Sequence, residues 1–298
     1  MTDFDAAADF IWRHARLIDR HRFAYLFLGA DPGPVVGTLR AYRNPDGGAG
    51  HALEPDLRTP TSQPGAVQHL LEMLAEAGAA DDPMVLEACH FLASITRADG
   101  GIPFVLPTAA EHPRAPWWQP ADASSLTQTA ANAAALHALG AGHPWLDEAT
   151  AFCWARIESG RIDGPYDARF AVAFLDAVPD GARAEAALDA LAPRLVHEGW
   201  LALDPAAAGE LSFTPLEYSP EPGARSRRMF AAEAIDADLD ALAAGQRDDG
   251  GWTFPWPEWS PAATLDWRGW LTVGALRRLQ RNGRLDAPAL GSAASAHG

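Results

Sequence analysis

His51, Glu54, Asp56 and Arg58 crowd into the short stretch "HALEPDLR". Two acids separated by one proline are more than a helix cap requires, since a cap uses a single side-chain oxygen. Carboxyls held this close repel when both are charged. One is then driven to keep its proton while the other stays ionised. Such a pair can hand a proton to a substrate, with Asp56 or Glu54 as the donor. Asp266 is a third candidate acid. It stands between Leu265 and Trp267, and an aromatic setting raises a carboxyl pKa once the group is buried. His51 and Arg58 flank the pair as substrate-binding candidates. The spacing of His51, Glu54 and Asp56 fits no helical zinc pattern, so no metal is expected.

The chain has eleven tryptophans. Indole faces stabilise cations, and they also stack on sugar rings. Trp117, Trp118, Trp256, Trp259 and Trp267 are candidates to line a substrate site, together with Tyr166 and Tyr218. Trp252 and Trp270 read first as core packing. The Trp117–Trp118 pair belongs to a proline-rich insertion, "PTAAEHPRAPWWQPADASS", expected to form a lid or rim. Asp122 and Asp167 read first as caps of helix N-termini and second as binding residues.

Residues so scattered converge only if the chain brings several loops to one place, and a repeat supplies that. "NPDGGAG", "RADGGIP", "RIDGPYD", "HEGWLAL" and "RDDGGWTF" recur along the sequence, with glycines at 47, 100, 164, 199 and 250. Ala- and Leu-rich segments of helical period precede each turn, and four of the five are followed by another. After the fourth turn the helix is hard to place, and "SPEPGARSRRMF" is the nearest candidate. Period-two β-branched runs are absent, so strands are not expected. Asp-Gly and Gly-Gly supply the positive φ that ends a helix. Each hairpin leaves an apolar face that a neighbour must cover. About eleven helices suit a closed ring of six inner helices inside an outer layer. In such a ring the inner-helix N-termini meet at one mouth.

Composition bounds the partners. The 298 residues carry a net charge of −16 and are 48% apolar. So acidic a chain repels phosphate backbones, which argues against nucleic acid. No apolar run approaches the roughly 18 residues of a membrane span. Cys89 and Cys153 lack metal spacing and read as small buried hydrophobes. The start of the chain has no signal-peptide pattern, and a cytoplasmic location is expected. One domain over 1–285 and a flexible tail over 286–298 are expected. The oligomeric state is left open.

"QRDDGGW" resembles the QW repeat of squalene–hopene cyclases and related terpene cyclases. "NPDGGAG" with the following "TPTSQP" looks like their glycine turn and the helix start behind it, and "WSPAATLDWRGWLTVGALRRL" is similar to one of their repeat helices. The resemblance is spread over residues 39–281. It implies an all-α fold, a single α/α toroid of (α/α)6-barrel type with eleven or twelve helices. It further implies a class II terpene-cyclase-like isomerase or lyase, in which a buried acid starts cyclisation or isomerisation of an isoprenoid or other apolar substrate in a central, aromatic-lined cavity. The D-x-D-D acid motif of those enzymes is missing. Asp236, Asp238 and Asp240 come nearest, and they read as a solvated helix face. Proton-initiated chemistry needs no cofactor, whereas a diphosphate substrate brings Mg2+. Two alternatives stand beside this one. The first is a non-catalytic toroid that binds a lipid or a protein. The second is a carbohydrate-active enzyme with two carboxylates, Glu54 or Asp56 and Asp266.

Overall fold

The computed structural model describes residues 2–209 and 211–285. Twelve α-helices carry the fold among them: α1 Phe4–His14, α2 Leu17–Leu28, α3 Gly33–Leu39, α4 Pro64–Glu76, α5 Pro83–Ser94, α6 Leu126–Ala138, α7 Pro144–Glu158, α8 Pro165–Ala177, α9 Gly181–His197, α10 Pro215–Tyr218, α11 Ala232–Ala244 and α12 Pro261–Arg281. A two-residue antiparallel ladder, β1 Ile102–Pro103 with β2 Ser124–Ser125, pins the base of the insertion. The expected tail over 286–298 lies outside the described residues.

Local chemistry sets the starts of the helices. Proline occupies the first turn of α4, α5, α7, α8 and α12, where its missing N–H costs nothing. Asp3, Asp82, Ser125 and Asp180 cap α1, α5, α6 and α9 through their side chains. The even-numbered helices form the inner layer. α4 packs on α6, α6 on α8, α8 on α10, and α12 on α2. Ion pairs bridge the remaining steps. Arg22 of α2 meets Glu76 of α4 at 2.7 Å, Arg277 of α12 meets Glu76 at 3.0 Å, and Arg277 also reaches Glu221, just after α10, at 3.6 Å. The odd-numbered helices lie outside, with α1 against both α2 and α12.

Three corners are built alike. In 44–48, 97–101 and 247–251 the first residue's N–H donates to the last carbonyl, at 2.9, 2.8 and 2.9 Å. Asp46, Asp99 or Asp249 accepts the N–H of the last glycine. The glycine before it has φ of 86, 87 or 89°, a region L side chains avoid. A Cβ added there would stand 2.5 Å from Glu87 O, 3.1 Å from Glu148 O or 2.1 Å from Ala6 O. Those carbonyls belong to α5, α7 and α1. Each corner is therefore pressed against the outer helix of the next hairpin, and the third press closes the ring. The last glycine of each corner faces an aromatic ring four residues further on: Phe91, Phe152 or Phe10.

Gly164 and Gly199 do not belong to this series. Gly164 precedes α8 in extended backbone, and Gly199 terminates α9. The fifth inner helix is reduced to the single turn of α10, held by a Thr214–Glu217 capping box. A 3-10 turn at Arg225–Met229 follows, inside the segment expected to replace it. Cys89 and Cys153 are buried free thiols, as their apolar flanks suggested, and burial pushes Cys89 up to about 11. Asp236 and Asp240 pair with Arg284 at the surface, but Asp238 is buried and accepts the Leu216 N–H at 2.7 Å. The triad is thus a solvated face only in part. No described helix is long and apolar enough to cross a membrane.

Candidate functional site

The loop between the first glycine corner and α4 doubles back on itself. His51 N–H donates to Thr59 O at 2.8 Å, and Gln63 N–H donates to Ala49 O at 2.9 Å. His51 and Ala52 both carry positive φ, 57 and 61°, a strained pair for non-glycine residues. Arg16, at the α1–α2 corner, clamps this point by donating to Leu53 O at 2.9 Å. The fold-back drives Glu54 and Asp56 inward. They are 2% and 3% exposed.

The two acids have different surroundings. Glu54 Oε1 accepts the Asp56 N–H at 3.0 Å, and Glu54 Oε2 accepts from His69 Nε2 of α4 at 2.6 Å. Asp56 Oδ1 accepts the Trp259 indole N–H at 2.6 Å. Burial, and next to it the Glu54 charge, push the Asp56 carboxyl up to about 6. The indole N–H groups of Trp259, Trp267 and Trp117 oppose that rise, although Trp267 Nε1 stands outside hydrogen-bonding geometry of any acceptor. A carboxyl so placed holds a proton near neutral pH and can release it.

The insertion forms a roof over this pair. Ala115 N–H donates to Asp56 O at 2.8 Å, and Arg58 N–H donates to Pro113 O at 3.0 Å. Gln63 locks the other edge: its Oε1 accepts the Leu106 N–H, and its Nε2 donates to Thr108 Oγ1, both at 2.9 Å. Leu57, Val105, Ala109, Ala115 and Trp118 make a small core of their own beneath it. Trp118 stacks on Phe104 at 4.8 Å, and Trp117 is exposed on the rim. Arg58 pairs with Asp266 at 2.7 Å. Trp256 meets Trp267 edge-on at 5.5 Å.

Asp56, Glu54, Arg58, Asp266, Trp117, Trp118, Trp256, Trp259 and Trp267 thus gather at one end of the ring. The other candidates do different work. His51 is exposed and bonds Asn44 at 3.0 Å. Asp122 lies at the surface beside Arg97. Asp167 caps α6 by accepting the Thr127 N–H and hydroxyl, at 3.0 and 2.6 Å. Tyr166 packs edge-on against Phe213 at 5.0 Å, and so does Tyr218 at 5.9 Å. Tyr218 is buried and donates to Trp200 O at 3.2 Å.

Sequence reasoning missed His69 and the charges behind it; Trp270, read first as core packing, does pack against the main core. Trp270 stands edge-on to His69 at 4.4 Å and carries the Arg22 guanidinium over its ring at 4.3 Å. Arg22 also pairs with Asp19 at 3.1 Å. A signal was present: Gln68, His69 and Glu72 interrupt the otherwise apolar run "GAVQHLLEML".

Two clefts, of about 670 and 400 Å3, open elsewhere. The first lies beside the Gly250 corner and the start of α12, the second between α7 and α9, and Asp56 lines neither. No group of three or more His, Cys, Asp or Glu among the described residues is placed to hold a metal ion. No family model matches the chain, and no curated protein matches it. A crystal structure of a protein from Actinoplanes is similar over 92% of this chain and 89% of that one. Its TM-score is 0.56 at 19% identity, a likeness of fold alone.

Proposed function

We propose that the roofed mouth is a proton-donating site, with Asp56 as the acid, for an isoprenoid or similarly apolar alkene held among indoles. The observation that carries this reading is the buried Asp56 carboxyl, beside buried Glu54, bonded to the Trp259 indole and raised to about 6. Asp56 gives its proton to one alkene carbon. A C–H bond forms, the π bond breaks, and the neighbouring carbon becomes a cation that indole faces stabilise. The Asp56 carboxylate then takes a proton from the carbon skeleton. The sum is an isomerisation, or a cyclisation if a second alkene attacks first, and no co-reactant is consumed. Glu54, fixed by His69, keeps the Asp56 proton in place between turnovers by its charge. The proton comes from the protein, so this step calls for no cofactor; a diphosphate substrate would bring Mg2+ with it. The roof of Trp259 and the insertion must lift to admit the substrate, and its closure excludes water from the cation.

The test is incubation with farnesyl and geranylgeranyl alcohols and diphosphates, followed by mass spectrometry and chromatography for isomeric products. Product is expected from the wild type, rising as pH falls through about 6, and lost in Asp56→Asn. Conversion that continues unchanged in Asp56→Asn removes the assigned acid. Binding without conversion turns the site into a carrier for such molecules.

A further inference from the structure

Folded interiors leave few buried polar atoms without a hydrogen bond, because each one costs stability. Four such atoms lie in the first two turns of inner helices: Gln128 Oε1 and Asn132 Oδ1 on α6, His69 Nδ1 on α4, and Trp267 Nε1 on α12. With a rise of 1.5 Å per residue they all fall within about 10 Å of the helix starts. They therefore share one depth on three neighbouring walls of the ring.

Gly65 links them. It sits one turn before His69 on the same face of α4, where an added Cβ would meet Trp118 at 2.9 Å and Gln128 Nε2 at 3.6 Å. His69 in turn meets Trp267 at 6.0 Å. The wall runs from α6 across α4 to α12, below Trp118 and beside Glu54. Asn132 cannot relieve its oxygen by turning the amide over. Its Nδ2 already donates to Gln128 O and Pro64 O, at 2.9 and 3.3 Å, and a turned amide would face oxygen to oxygen. His69 Nε2 bonds Glu54, and the Glu72 carboxyl group stands 3.9 Å from its Nδ1, beyond hydrogen-bonding distance. Two carboxyl groups thus border the wall, and the nearby Arg58 is engaged by Asp266.

We propose that this wall is a subsite for the polar end of the ligand, an uncharged group bearing hydroxyls that donate to Gln128 and Asn132 and accept from Trp267. A diphosphate in the same place would stand beside the buried Glu54 and Asp56 carboxyl groups, with only the neutral N–H groups of Trp267 and Gln128 as donors and Arg58 taken up by Asp266. The inference rests on reading the Asp56 mouth as a substrate site, and not on the reaction carried out there. A prenyl alcohol and a free polyol both carry such a group, and the probes below separate them.

Calorimetric titration of Asp56→Asn, with proton delivery switched off, uses farnesol, farnesyl diphosphate and glucose as probes. The titration is repeated with Gln128→Met added. The Gln128 side chain makes no hydrogen bond among the described residues, so methionine should leave Tm equal or higher. Expected are binding of farnesol, at least tenfold weaker binding of the diphosphate, and at least a tenfold loss with Gln128→Met. Glucose binding without farnesol binding, sensitive to Gln128→Met, keeps the subsite and removes the isoprenoid reading. The subsite is overturned if the diphosphate binds as tightly as the alcohol, if a folded Gln128→Met binds unchanged, or if neither hydroxyl probe binds. In that last case, isomeric product from the wild type would still leave the Asp56 acid standing.

Discussion

Asp56→Asn is expected to stabilise the protein at neutral pH, and to do so less as the solution is acidified. Burial and Glu54 move the folded carboxyl from 3.8 to about 6. In the unfolded chain the same group returns to about 3.9. The folded state therefore binds this proton more tightly. The stability that goes with it is complete below about pH 4 and is lost as pH rises through about 6. At 1.36 kcal/mol per pH unit the loss amounts to at most ~3 kcal/mol, a sizeable part of the 5–15 kcal/mol that holds a typical domain together. Asparagine carries no charge over this range and keeps an oxygen for the Trp259 N–H. Urea denaturation of both chains at half-unit steps from about pH 4 to pH 8 measures the difference. The gain from Asp56→Asn should grow by ~2–3 kcal/mol across that window and then level off. A gain that does not vary with pH, or one that grows toward acid, refutes the picture of Asp56 as a buried, proton-holding group.

Trp259→Phe removes the donor at 2.6 Å that favours the charged carboxylate; the midpoint of the same pH series should move up by about one unit. Gly250→Ala should cost ~2–4 kcal/mol, because it adds a clash with Ala6 O to the backbone strain. Gly78→Ala, with φ of 66° and open space around it, should cost only ~1 kcal/mol; equal urea midpoints for the two would deny the ring-closing contact. Arg22→Met takes one of two cations from each of buried Asp19 and Glu76, which keep Arg16 and Arg277, and should lower stability by ~3 kcal/mol in denaturant titration, the low end of the cost of breaking a buried pair. Cys89 and Cys153 should resist thiol reagents until the chain unfolds, and rapid native labelling would contradict their burial.

Much of this was legible in the residues, and the limits have physical causes. The corners at Gly47, Gly100 and Gly250 announce themselves because an Asp-Gly-Gly turn pressed on a neighbouring helix tolerates little else. Gly164 and Gly199 share the composition but not the contact, and composition does not record contacts. Glu54 and Asp56 stood out because two acids beside a proline have no local use. Trp259 and Trp267, more than two hundred residues away, could be brought to them only by assuming that the ring closes. Asp122 and Asp167 read first as caps, and the structure uses them on Arg97 and on Thr127 at the start of α6, while His51 bonds Asn44. His69, Arg22 and Asp19 escaped notice. They lie inside helices, and the contacts that bury them, Arg22 on Glu76 of α4 and His69 on Trp270 of α12, come from distant parts of the chain.

The contact of Gly250 with α1 has a consequence for how such a protein can change over time. An open stack of helix pairs can lengthen by duplicating a unit at either end, because its terminal faces are free. Here the last corner already occupies the first helix, so a seventh pair would have to re-angle every crossing at once. Novelty is left to the connections, and the proline-rich insertion over the acid pair is where this chain has spent it.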